Sequence, residues 1–360
     1  MSRAPRLSDL IRQPAAPQGR LPGTPPKRLT PEMEDASAED VSDWQALGTS
    51  ESEITEAPVA IARQELEGEA TKDYVLLEQW LVRLYRSAAQ GRFDPEGIFD
   101  DAAMIVGRKS LLEGLFAETF RPRADAETLP RAALNVAIYA LRLGASLGYG
   151  SDDLRDLAVA GLLHKIGLVR LPGELVSSGR KLDRQGLKTL HEHPKLARES
   201  IRGLGRRFER VAEIVYQCHE RIDGSGYPQG LGEGQITEPA LALGLAGVFE
   251  ALTQPRPYRA RMIPFAAVKE ILQQERSRFP RVLLRQFFAT FSGFPPFSYV
   301  RLSSNALAQV VASNPEHPLR PTVVVLRDPA GRRSAGTETL RLVEHPALHI
   351  VGPVSEAEVG

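Results

Sequence analysis

Apolar positions along most of this chain recur at intervals of three and four, the spacing of an amphipathic helix. From Thr71 to about Phe120, Leu76, Leu77, Trp80, Leu81 and Leu84 share one stripe, and Leu111, Leu112, Leu115 and Phe116 share another. Leu134 to Leu147 reads as a buried helix rich in Ala and Leu. Ser151 is a candidate cap for the next helix, with Asp152 and Asp153 in the first turn, where negative charge suits the helix dipole. That helix turns Leu154, Leu157, Ala158, Leu162 and Leu163 inward and ends near His164. Val211, Ile214, Val215 and Cys218 mark a further helix face. Leu241 to Leu252 is apolar nearly all round, which predicts a central helix. Val268 to Leu272 and Val282 to Phe291 predict two closing helices.

After Pro295-Pro296 the period changes to that of strands. Four short strands are predicted, over Phe297–Leu302, Ala308–Val311, Thr322–Leu326 and Thr339–Leu342. Asp328-Pro329-Ala330-Gly331 supplies a turn between the last two. The expected fold class is mainly α: a helical bundle with a small β-rich C-terminal segment.

Residues 1 to about 62 break the helical pattern with seven prolines from Pro5 to Pro31, and a disordered tail is predicted. Its charge is sorted into blocks, Arg3 to Arg28 basic and Glu32 to Glu56 acidic, which suits a solvated tail or a docking arm. The remaining divisions are a helical cap region over 63–126, a core over 127–292 and the β-rich segment over 293–360. The formal net charge is zero, which argues against a general DNA or anionic-membrane binder. A single cysteine, Cys218, excludes an intramolecular disulfide and suits a reducing cytosol. With no long apolar run for membrane insertion, a cytoplasmic location is expected.

The candidate chemistry lies in five blocks of the core. They are His164-Lys165-Ile166-Gly167, Cys218-His219-Glu220, Asp223-Gly224-Ser225-Gly226-Tyr227-Pro228, Ala246 to Thr253, and Arg256-Pro257-Tyr258-Arg259. Their order and spacing resemble the HD-GYP family of bacterial cyclic di-GMP phosphodiesterases, over roughly residues 70–355. The resemblance implies an HD-domain helical bundle. It also implies a di- or trinuclear metal centre built from His and Asp, in which cations polarise the phosphate and activate water.

The metal chemistry departs from that pattern. Ala132 stands where a His opens the family's first block, Lys165 replaces the aspartate of the HD pair, and Gly247 replaces the central-helix aspartate. Cys218 replaces the first His of a His-His-Glu run, whereas His164, His193 before Pro194, His219 and Glu220 match. An ammonium about 4 Å from a divalent ion repels it by roughly twice the ~4 kcal/mol of two unit charges at intermediate dielectric. Ala132, His164, Lys165 and Gly247 are therefore read as vestigial catalytic positions, and no cofactor is expected. The remnant donors His164, His193, Cys218 and His219 leave room for one weakly held zinc, iron or manganese ion. The bland alternatives are histidines hydrogen-bonded in a polar core, Cys218 as a small buried hydrophobe, Gly226 and Pro228 as loop-fixing residues, and Lys165 paired with Glu220 or another carboxylate. His191, His317, His345 and His349 have no supporting pattern.

The resemblance and its departures together imply a catalytically degenerate HD-GYP signalling protein. It acts either as a protein-interaction scaffold or as a cyclic di-GMP sensor that does not hydrolyse its ligand. Lys165, Gly226, Tyr227, Pro228, Arg256 and Arg259 are the candidate ligand or partner contacts. The scaffold reading is slightly preferred, because the family's ligand docks its phosphates on the metals, and a diguanylate cyclase domain is the implied partner. A residual metal-dependent phosphodiesterase is the alternative.

Overall fold

The computed structural model describes residues 57–95, 97–121, 128–177, 183–254, 262–291, 294–314, 317, 319–334, 339–354 and 356–359. The tail expected over 1–62 therefore lies outside the described residues, except that a helix already begins at Ala57.

Helix α1 (Ala57–Ala89) is followed by α2 (Ile98–Val106) and α3 (Lys109–Glu118). On α1 the heptad-like stripe of Tyr74, Leu77, Leu81, Leu84 and Tyr85 is buried. Two of its phenols are pinned as well as packed. The Tyr74 hydroxyl donates to Asn135 Oδ1 at 2.6 Å, and that of Tyr85 to the Leu162 carbonyl at 2.9 Å. These helices share one hydrophobic cluster with the rest of the bundle.

Helix α4 (Leu129–Ser146) starts with Thr128 accepting a hydrogen bond from Arg131 N and with Pro130 in its first turn, two favourable start signals. It is buried from Arg131 to Gly144, as the Ala- and Leu-rich pattern demands. Helix α5 (Ser151–Leu163) is capped by Gly150 and not by the Ser151 side chain, because the chain enters the helix one residue earlier than expected. Short helices α6 (Gly173–Ser177) and α7 (Arg184–Leu190) lead into α8 (His193–Arg202) and α9 (Glu209–Gln217). The central helix α10 (Glu238–Thr253) packs on α4 and α9, with α11 (Pro264–Gln274) and α12 (Arg281–Phe291) closing the bundle. Its Phe249 joins Tyr139, Phe287 and Phe291 in an aromatic cluster with centroids 5.0 to 5.5 Å from that of Phe249. Such contacts add on the order of 1 kcal/mol each to simple burial.

The C-terminal segment is an antiparallel five-stranded sheet in the order β4-β3-β2-β1-β5. Strands β1 (Tyr299–Leu302), β2 (Leu307–Ala312), β3 (Thr322–Arg327) and β4 (Thr339–Arg341) match the four expected ones, and β5 (Ile350–Pro353) is additional. A final helical turn, α13, covers Glu356–Val359. The turn at 328–331 closes with Gly331 N donating to Asp328 O. The sheet has its own small core around Val300, Ala308, Val310 and Val323. It meets the bundle through Phe294, whose ring stacks on Phe265 of α11 at 5.3 Å. Among the described residues no helix is long and apolar enough to cross a membrane.

Candidate functional site

His164 caps α5, and the chain turns after Lys165 into a short 3-10 segment, Ile166–Arg170. Gly167 in that turn lies against the start of α8. A Cβ there would stand 2.0 Å from the His193 carbonyl oxygen and 2.7 Å from Ala197 N. This close approach, which only glycine permits, is what carries His164 toward His193. The loop after α9 is folded back in the same way. A Cβ on Gly226 would stand 2.4 Å from Glu220 Cα and 2.5 Å from Arg221 N.

Glu220 holds that loop. Its carboxylate is buried and accepts hydrogen bonds from Gln229 N at 2.6 Å and Leu231 N at 3.0 Å, one on each oxygen. Both carboxylate oxygens are thus engaged by loop backbone. Stripping the buried carboxylate of either donor would cost about 1–3 kcal/mol.

The histidines meet behind the loop. His164 Nδ1 lies 2.7 Å from Gly161 O, and His193 Nδ1 lies 2.8 Å from Leu190 O. A carbonyl only accepts, so each bond assigns the ring proton to Nδ1 and leaves Nε2 as the lone-pair nitrogen. His193 Nε2 and His219 Nε2 are 3.1 Å apart, so His219 carries its proton on Nε2 and donates it. Burial holds His164 and His219 well below the ordinary histidine range and brings His193 down to about 4. The positive charge of Lys165 depresses all three further. These imidazoles are therefore neutral near pH 7.

Cys218 is buried beside them, and burial pushes its thiol up to about 12. Ala132 is buried in α4. Gly247 is on α10, one turn beyond Gly244, where a Cβ would stand 2.4 Å from the Cys218 carbonyl oxygen. At Gly247 itself a Cβ would meet nothing within 4 Å. The position that resembles the family's central aspartate thus opens onto free space.

His164 and His193, with Nδ1 protons anchored on carbonyls, direct Nε2 lone pairs inward, and that of His193 already accepts from His219. The carboxylates are missing, however, and a cation stands in the place of one of them. Among the described residues no group of three or more His, Cys, Asp or Glu side chains is arranged to hold a metal ion. This donor set does not fit a di- or trinuclear centre.

Tyr227 covers the histidines. Its ring is parallel to that of His219, with centroids 4.8 Å apart and planes 8° apart. It is also parallel to that of His191, at 3.8 Å and 4°. His191 carried no signal in the sequence beyond standing two residues before His193. Arg256 and Arg259 lie outside the described residues.

Comparison with known proteins accounts for this architecture. Residues 109–283 match the family model described as HD domain. The helical core is an HD domain. Residues 299–360 match a second model, described as KOW domain associated with HD domain. The chain is 28% identical over 193 residues to a cyclic di-GMP phosphodiesterase of Pseudomonas aeruginosa, covering 53% of this chain and 46% of that one. It is 33% identical over 129 residues to the cyclic di-GMP phosphodiesterase response regulator RpfG of Xanthomonas campestris, covering 36% and 34%. It is 35% identical over 127 residues to 3'3'-cGAMP-specific phosphodiesterase 1 of Vibrio cholerae, covering 35% and 29%. The chain thus spans less than half the length of each of these relatives. The HD-GYP resemblance read from the sequence is borne out at the level of the family.

Proposed function

We propose that this HD domain binds a 3'3'-linked cyclic dinucleotide and does not cleave it. The observation that carries the reading is the set of three histidines in the field of the Lys165 ammonium; on α10 the space that a Cβ at Gly247 would enter is open as well. A glycine in a helix interior costs about 1 kcal/mol relative to alanine, and nothing packed against this one demands it. The space is therefore available to a ligand. An anionic phosphodiester suits a pocket where an ammonium replaces metal charge, because hydrogen bonds between ionised partners are the strong ones. The names of the relatives supply the ligand class, cyclic di-GMP and 3'3'-cGAMP.

Cleavage is a separate requirement. It needs a polarised phosphate and an activated water, which in metal-dependent hydrolysis come from the cations. With Ala132, Lys165 and Gly247 at three ligand positions, the protein reports the nucleotide without consuming it. The signal then passes to a protein partner, for which a diguanylate cyclase domain is the reading suggested by the resemblance.

The test is calorimetric titration of the full chain with cyclic di-GMP and 3'3'-cGAMP, with product analysis by chromatography, with and without added manganese or iron. Binding without linear dinucleotide product is the expected result. The relatives' names favour a second reading, a residual metal-dependent phosphodiesterase. Chelator-sensitive turnover that is lost in His164→Ala would establish that second reading and overturn the first.

A further inference from the structure

The rings at the mouth of the site form a ladder that no requirement of the fold explains. Tyr227 is parallel to both His191 and His219, and close to both. Two imidazoles this near one phenol ring and parallel to it would overlap if they shared a face. They therefore lie on opposite faces, and Tyr227 is sandwiched. The inner neighbour, His219, is half-buried and bonded to buried His193. The outer neighbour, His191, is likewise half-buried and sits at the C-cap of α7.

The separation of 3.8 Å and angle of 4° between His191 and Tyr227 are those of full face-to-face contact between aromatic rings. A nucleobase stacks on a tyrosine in this same manner. An imidazole is, moreover, the five-membered half of a purine. His191 presents to Tyr227 the ring that a guanine or adenine would present.

We infer that the outer face of Tyr227 is a purine-stacking subsite and that His191 fills it as an internal plug, displaced when a purine nucleotide binds. The inference rests on the proposed cyclic dinucleotide reading and assigns one of the two bases its place. Displacement requires only a rotamer change of a half-buried side chain at a helix end, which is fast. The plug reduces apparent affinity, because only molecules with His191 swung out are competent to bind. It also spares Tyr227 from presenting an uncovered aromatic face to water.

The experiment compares wild type, His191→Ala and Tyr227→Ala by calorimetric titration with cyclic di-GMP. A second measurement records the histidine ring protons by NMR. Before ligand is added, ring current from Tyr227 should shift the His191 protons upfield, and the shift should vanish in Tyr227→Ala. On saturation with cyclic di-GMP the His191 protons should move back toward their ordinary positions. His191→Ala should bind about three- to tenfold more tightly than wild type, the amount set by one lost ring contact. Tyr227→Ala should bind at least about tenfold more weakly.

Equal affinity of wild type and His191→Ala removes the plug and leaves nucleotide binding intact. Weaker binding by His191→Ala also overturns it, showing that His191 is a platform for the base and not its stand-in. Absence of binding in wild type together with binding in His191→Ala supports the plug in its strongest form. No heat with either protein removes the nucleotide reading, and the plug with it.

Discussion

The glycines of this domain stand under two different constraints. On one side, the turn at Gly167 and the loop at Gly226 press backbone against backbone, and any side chain would collide with main-chain atoms. On the other side, Gly247 faces space in which a Cβ would meet nothing within 4 Å. The first pair of glycines is fixed by packing. Gly247 is not. The contrast separates the close-packed frame, which brings His164, His193 and His219 together, from a helix position whose side chain packing does not dictate. Geometry enforced by close approach of backbone cannot vary without loss of packing, whereas side chains at unpacked positions can be replaced.

The largest effect that can break this comparison comes from the packed side. Gly167→Ala and Gly226→Ala should each destabilise the protein by about 3 kcal/mol or more, since main-chain atoms cannot yield as a flexible side chain would. Urea denaturation of each variant against wild type measures this. A loss below about 1 kcal/mol at either position would mean that the frame is loose and that the meeting of the histidines is not enforced by it. Gly226→Ala should also release the loop that Glu220 clamps through Gln229 and Leu231.

Much of this arrangement was open to reading in the chain. The outer helices follow the three-and-four spacing of apolar residues because each buries one stripe, whereas α4 and α10, buried nearly all round, show as continuous Ala- and Leu-rich runs. The three histidines were legible because their spacing follows a known frame. The strand Ile350–Pro353 was not, since it contains a Gly and a Pro, and its Val351 is 64% exposed, leaving no apolar alternation to detect. The Glu220 clamp and the stacking of His191 were also hidden. Both arise where a loop folds back on a helix end, and no local pattern records such a contact. The Ser151 cap failed for a smaller reason: Ser at the first helical position and Gly before it offer two competing starts.

The second prediction concerns acid, and it tests whether the histidine side of the pocket is as dry as its packing implies. An unfolded histidine titrates near ~6.5, whereas buried His193 titrates at about 4, and His164 and His219 lie well below the ordinary range. Above about pH 6.5 both folded and unfolded chains leave these rings neutral, and the rings add no pH dependence. As pH falls from there toward 4, the unfolded chain takes up protons that the folded protein refuses, so stability is lost on the acid side. Each ring contributes up to ~1.4 kcal/mol per pH unit in that window. Urea melts between pH 7.5 and 5 should therefore show a steep acid limb, and His219→Gln should flatten it by about one proton's worth. An unchanged slope in His219→Gln would show that water or a counter-charge reaches the pocket.

The smallest expected effect belongs to the open side, and it is the most discriminating. Gly247→Ala adds a methyl group where nothing stands within 4 Å and removes a flexible residue from the interior of α10. Relief of backbone entropy should leave stability unchanged or raise it by up to about 1 kcal/mol. The same methyl group projects into the space assigned to the ligand, so it should weaken cyclic di-GMP binding without weakening the fold. The two readouts must separate for the comparison to stand. If Gly247→Ala destabilises the protein by more than about 1 kcal/mol, the helix face is packed after all and this glycine belongs with Gly167 and Gly226. If stability rises and binding is untouched, the space is real but the nucleotide lies elsewhere. Only a variant that is at least as stable as wild type and binds less well places the lost carboxylate position inside the ligand pocket.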